Sequence, residues 1–179
     1  MALTKILLAP HNDDEVLFAS YTLLREKPLV VVVTDSYIQY ERGDQITAEQ
    51  RRNETRQAMK ILGCQVIFLG IKDTELSPEV LEYVLGHIKA DVVYAPAIQG
   101  GNAQHDMIGQ VADTMFDGVI HYTTYTRTEL WTRGGTEIVP TDEEMDLKNK
   151  ALNCYISQIN LSSTAPHFSA VRDRSEHYA

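Results

Sequence analysis

The sequence predicts an α/β fold: an open, mostly parallel sheet with helices on both faces. Two observations carry this. Short apolar runs rich in Val and Ile recur along the chain, as in strands buried on both sides. Helix-like stretches with start and stop signals separate them, and such βαβα alternation builds a parallel sheet. The length of 179 residues suits one domain with a sizeable core, spanning residues 1–179.

Each element has its own justification. Residues 5–9 form a first apolar strand, followed by a helix-like stretch over 16–24. The Val-rich residues 28–34 are the second strand. A helix over 47–62 opens on Thr47 as N-cap, with Gln50 three residues on as in a capping box, and Gly63 stops it. Residues 65–69 are the third strand. Ser77-Pro78-Glu79 places a cap and a first-turn proline before a helix running to about Lys89. Residues 91–95 are the fourth strand, 107–116 a helix, and 121–126, alternating Tyr and Thr, a fifth strand. Thr141, with Glu144 three on, opens a last helix over 141–159. Residues 35–44, 99–104 and 132–140 read as loops, the first two on the rim where strands end. Residues 162–179 show no period and are expected to wrap the surface.

A net charge of -9 argues against nucleic acid or an anionic membrane as the main partner, since both select a basic face. The two cysteines, Cys64 and Cys154, lie far apart without CxxC spacing and read as thiols in a reducing compartment. Nothing near the N-terminus resembles a signal peptide, and the longest apolar run, 29–33, is too short to span a bilayer. A cytoplasmic protein is expected. The small size and the aromatic-rich residues 122–125 permit a homo-oligomer.

The chemistry concentrates in Ala9-Pro10-His11-Asn12-Asp13-Asp14-Glu15. One imidazole and three carboxylates sit where the first strand gives way to a helix, at the strand end that binds ligands in open α/β sheets. His11 and Asp14, three apart across this turn, can face one ion. A catalytic zinc keeps three protein ligands. The third candidate is His105, in a Gly-rich loop after the fourth strand on the same rim. A metal site with a spare carboxylate reads as a hydrolase centre. Gly100-Gly101 is followed by no Gly-Lys-Ser/Thr, and no GxGxxG follows the first strand, so a nucleotide site is not expected.

The Pro10-His11-x-Asp13-Asp14-Glu15 segment resembles the signature of the PIG-L/LmbE-like zinc-dependent N-deacetylases. Three further segments are similar to the same family: Arg51-x-x-Glu54-x-x-x-Ala58-x-x-x-Leu62-Gly63, Phe68-Leu69-Gly70-x-x-Asp73, and Lys148-x-x-Ala151-x-x-x-Tyr155-x-Ser157-Gln158. The resemblance implies a Rossmann-like fold and one zinc per chain, or another divalent metal, held by His11, Asp14 and His105. It implies Asp13 as general base on the metal-bound water, and Arg51 and Asp73 as sugar-binding residues. The implied substrate is an N-acetylated amino sugar or its conjugate, from which the acetyl group is removed.

The chain departs from the family in Asn102-Ala103-Gln104-His105, where His-x-Asp-His is usual. Asn102 stands in place of the first His and Gln104 in place of the acid. An amide delivers no proton at neutral pH, yet it can donate a hydrogen bond to an oxyanion or to substrate. Protonation of the leaving amine then falls to Asp13 acting twice, to water, or to a group such as Tyr125 or His121. Asn102 keeps two alternatives open: a degenerate member that binds a sugar or partner, and a metallohydrolase acting on another acyl group. Arg51 and Glu54 also fit an exposed helix pair, and Asp73 a turn. Lys148 reads as a solvated helix charge, His87, His167 and His177 as surface residues, and His121 as structural.

Overall fold

Alternation along the first two strands decides the layering. In β1 (Lys5–Ala9) and β2 (Leu29–Thr34) successive side chains point to opposite faces, and both faces are apolar. Leu7, Ala9, Val30 and Val32 join one core cluster, while Ile6, Leu8, Val31 and Val33 join the other. Both clusters therefore need a helical cover. Helices α1 (Asp14–Glu26), α2 (Ala48–Leu62) and α5 (Asp142–Leu152) supply it on the first face through Leu17, Met59 and Leu152. Helices α3 (Pro78–Leu85) and α4 (Ala103–Met115) supply it on the second through Leu81 and Ile108. The structure is a computed structural model that describes residues 4–35 and 46–179.

The remaining strands are β3 (Val66–Ile71), β4 (Val92–Pro96), β5 (Val119–Tyr122), β6 (Thr136–Ile138) and β7 (Glu176–Tyr178). Two short helices, α6 (Ile156–Ile159) and α7 (Ala165–Val171), follow α5. Among the described residues the sheet order is β3-β2-β1-β4-β5-β7-β6. The first five of these strands are parallel; β7 pairs antiparallel with both β5 and β6. The chain winds outward one way through β1, β2 and β3, then returns to lay β4 on the other side of β1. A crevice opens where the order reverses, at the carboxyl ends of β1 and β4.

Local signals explain most boundaries. Thr47 Oγ1 accepts from Gln50 N at 3.1 Å, half of the expected capping box, and Gly63, at φ 68°, ends α2. Thr141 and Glu144 form the full box on α5. Five expectations need correction. The helix from Ser77 stops at Leu85, with Gly86 as C-cap, instead of running to about Lys89. The fifth strand begins earlier, at Val119, directly after a Gly118 turn at φ 75°. The helix expected over 141–159 breaks after Leu152, and Tyr155 turns inward to bond Glu15. Residues 132–140 contain β6, and the tail contains α7 and β7. Three-residue strands carry too little sequence to show a period. The loop expected over 35–44 lies, apart from Asp35, outside the described residues.

Candidate active site

The turn joining β1 to α1 makes the site. Asp13 sits at φ 141°, ψ -29°, a conformation that L-residues other than glycine rarely hold. Its surroundings fix it there. Its N–H donates to Glu15 Oε2 at 3.0 Å, and its carbonyl accepts from Val16 N and Leu17 N, both at 2.9 Å. Glu15 is fully buried and takes a hydrogen bond from the Tyr155 hydroxyl. Burial pushes the Glu15 carboxyl up to about 7, against the hydrogen bonds from Tyr155 and from the Asp13 backbone.

This backbone sends the two neighbouring aspartates to different partners. Asp14 Oδ2 accepts from His11 N at 2.9 Å and lies 2.9 Å from His11 Nδ1 and 3.1 Å from His105 Nε2. The two imidazole nitrogens are 3.3 Å apart. Asp13 Oδ2 instead pairs with Arg51 at 3.1 Å, and the same guanidinium donates to the Asn12 carbonyl. One ligand atom from each of His11, Asp14 and His105 lies within 4.8 Å of the others, a group that can hold a metal ion.

His105 arrives from the far side of the crevice. Asn102 caps α4, its Oδ1 accepting from Gln104 N at 2.8 Å. Two glycines allow the approach. A Cβ on Gly101 would lie 2.1 Å from the Tyr125 carbonyl oxygen, and one on Gly109 would lie 2.5 Å from that of Pro96. His105 is thereby buried against β4, with its Nδ1 lacking any partner among the described residues.

Electrostatics follow from burial and proximity. Burial works against charge on His11, but Asp14, aided by Gln104 and Asp13, pushes the imidazole up to about 9. Burial also opposes ionisation of Asp14, yet the imidazoles of His105 and His11 hold its carboxyl well below the usual range. Asp13 is pushed up by burial; Arg51 opposes this, while Asp14 and Glu15 reinforce it.

A cavity of about 250 Å³ opens over the cluster and is lined by His11, Asp13, Asp14, Arg51, Asp73 and Asn102, while His105 is buried and not among its lining residues. Arg51 reaches it while only 2% exposed, so the exposed helix pair with Glu54 does not form. Glu54 instead accepts from Ser157 N at 2.8 Å and Ser157 Oγ at 2.6 Å. Asp73 lines the cavity with a buried Oδ1 that has no partner among the described residues. The Asn102 amide donates to the Tyr125 hydroxyl at 3.2 Å.

Sequence reasoning missed two contributors to the site. Gln104 is more than a lost acid: its Oε1 lies 2.5 Å from His11 Nε2. An amide oxygen only accepts, so Nε2 carries the proton and Nδ1 turns towards Asp14. His167, read as a surface residue, lines the cavity with its ring 4.6 Å from that of Tyr125. No local signal announces it, because α7 has one turn of apolar spacing at most. Two further readings fail elsewhere. His177 is buried, its ring 5.4 Å from Trp131. Lys148 is buried and pairs with Glu176 at 2.8 Å. His121 is structural, as expected, bonding Asp113 at 2.8 Å.

Comparison with known proteins agrees with the fold. The chain superposes on a triple mutant of a deacetylase from the teicoplanin biosynthetic pathway with a TM-score of 0.70, at 17% identity, over 93% of this chain and 88% of that one. A conserved protein of Thermus thermophilus gives a TM-score of 0.70 at 21% identity, over 99% and 94%. GalB, the 4-carboxy-2-hydroxymuconate hydratase of Pseudomonas putida, gives 0.69 at 15% identity, over 94% and 83%. At such identities these likenesses establish the fold. No curated protein matches the sequence. The PIG-L family, described as GlcNAc-PI de-N-acetylase, matches residues 6–116, more than half of the sequence and the part that carries His11, Asp13, Asp14, Arg51 and His105. The chain belongs to the PIG-L family.

Proposed function

We propose that this protein is a metal-dependent hydrolase that removes the N-acetyl group from an amino sugar or its conjugate. The observation that carries the reading is the split between the two aspartates. Asp14 converges with His11 and His105 on one point, while Asp13 stays outside that group and lines the same cavity. The donor set of two imidazoles and one carboxylate fits zinc in a catalytic site, which keeps a position open for water. When bound, zinc would lower the pKa of water and polarise the acyl oxygen.

The chain's own residues supply the rest. Gln104 holds the His11 ring so that Nδ1 faces the cluster. Arg51 engages Asp13 Oδ2, which leaves Oδ1 to take a proton from the attacking water. A carboxyl whose pKa is raised by burial is a stronger base near neutral pH than an exposed one. The Asn102 amide donates towards the oxyanion or the substrate. Arg51 and the unpaired Asp73 oxygen offer a donor and an acceptor to sugar hydroxyls. Among the described residues no helix is long and apolar enough to cross a membrane. A single-domain cytoplasmic enzyme acting on a small molecule, free to form a homo-oligomer, completes the reading.

The test is acetate release from a panel of N-acetyl amino sugars, run against formamides and simple esters, with chelator and with zinc restored. Zinc-restored release that favours an acetamide supports the reading. Release only from formamides or esters would move the activity to another acyl group. Zinc uptake without release from any of them would leave a binding protein.

A further inference from the structure

An alkylamine leaves an acyl carbon only once its nitrogen is protonated, so an amide hydrolase needs a proton donor beside the scissile bond. The cavity has few groups that can serve. His11 and Asp14 face each other in the ligand cluster, and Asp13, held by Arg51, is already assigned to the water proton. Asn102 has no transferable proton. His121 bonds Asp113 and is not among the cavity residues. The Tyr125 hydroxyl accepts from Asn102, and burial together with Asp14 pushes its pKa up to about 12. That makes it a weak acid at neutral pH.

His167 remains. Phe168, 2% exposed in the core, anchors α7 and sets the adjoining imidazole at the cavity wall. The ring packs on Tyr125, which in turn lies 5.3 Å from the ring of His105, so His167 is one aromatic ring away from the cluster. Its Nδ1 is buried without a partner among the described residues, so no fixed hydrogen bond there holds the ring in one protonation state. Burial lowers its pKa and His105 adds to this, while Asp14 and the Leu130 carbonyl oppose it. The neutral ring is therefore the resting form at pH 7, and a proton taken up from solvent there is readily given to a more basic amine.

We propose that His167 is the general acid that protonates the departing amine. The proposal rests on the amide-hydrolase reading above. Water oxygen bonds to the acyl carbon as Asp13 takes a water proton. The carbon–nitrogen bond then breaks as imidazolium His167 gives its proton to nitrogen. Asp13 returns its proton to solvent and His167 regains one, so amide plus water becomes carboxylic acid plus amine.

The experiment compares two leaving groups in zinc-loaded protein: the amine of N-acetylglucosamine, which needs a proton, and 4-nitrophenolate from 4-nitrophenyl acetate, which does not. His167→Gln should lower kcat/KM on the amide by about 10²–10⁴-fold and leave the ester within a few-fold. Added imidazole should restore part of the amide activity to His167→Ala. Metal content and melting temperature, measured on both variants, should match wild type. Equal losses on amide and ester, or no loss on the amide, would overturn the assignment while leaving the hydrolase reading intact. Wild-type protein that cleaves no amide would overturn both, and that arm is read first.

Discussion

Two buried clusters of charge flank α1, and they are built differently. At the middle of the helix, Ala19 leaves helical geometry at φ -138°, which frees the N–H groups of Ser20 and Tyr21. Glu176 from β7 accepts both, at 2.8 and 2.9 Å, and takes Lys148 Nζ at 2.8 Å. Neither Glu176 nor Lys148 has a buried polar side-chain atom left without a partner. At the helix start, Asp13, Asp14, Arg51 and His105 are buried and His11 is partly so, yet Arg51 Nε and His105 Nδ1 lack partners among the described residues, as do the neighbouring Asn12 Oδ1 and Asp73 Oδ1. A buried polar atom without a hydrogen bond costs about 1–3 kcal/mol. The saturated cluster ties the tail to the fold. The unsaturated one, with a strained Asp13 at its centre, keeps atoms in reserve for something that binds. The difference between structure and function here is the count of satisfied partners, since both clusters bury opposite charges against each other.

The comparison can be broken from either side. The largest effect should come from Asp13→Asn in the unsaturated cluster. It should keep the metal and lose about 10²–10⁴-fold in acetate release, measured with metal content on the same sample. Retained turnover would remove Asp13 from the chemistry. In the saturated cluster, Glu176→Leu strands Lys148 and two backbone donors, and urea unfolding should show a loss of about 3–5 kcal/mol. Adding Lys148→Met should recover part of that loss, and metal binding should change in neither variant.

The next effect separates the clusters by pH. His11, pushed up to about 9, holds a proton at pH 7 that a metal must displace. Affinity should therefore rise with pH up to about 9 and fall roughly tenfold per unit below it, with about one proton released per ion at pH 7. Calorimetry in buffers of different ionisation enthalpy counts that proton; zero release would contradict the His11 geometry. The smallest effect lies at the surface. Glu144 is held down to about 2, chiefly by its hydrogen bonds from Arg25, with burial opposing. A depressed carboxyl stabilises the fold above its unfolded value of about 4.5, and that contribution fades as pH falls towards 2. Glu144→Gln should cost no more than about 1 kcal/mol at pH 7, because Arg25 is 41% exposed. Thermal melts at pH 7 and pH 3 should show the difference shrinking.

Legibility in the sequence followed the range of the interaction. The first four strands and the caps at Thr47, Ser77 and Thr141 rest on neighbours within a few residues and were readable, whereas the fifth strand, expected over 121–126, lies at Val119–Tyr122. His11, Asp14 and His105 were readable because two share one turn and the third opens a helix on the same rim. Lys148 with Glu176, and Tyr155 with Glu15, join residues 28 and 140 positions apart, and no local pattern announces such pairs. The same holds for His167, set by the docking of a seven-residue helix. The positive φ of Asp13 left no trace either, since that strain is imposed by Glu15 and Arg51 after folding.

The most direct test dialyses metal-free protein against zinc, then counts bound ions and acetate release from N-acetyl amino sugars in the same sample. The account predicts about one zinc per chain, release that appears only with the metal, and loss of both in His105→Ala. Protein that takes up no zinc, or that releases acetate equally well without it, would contradict the metal centre and the function built on it.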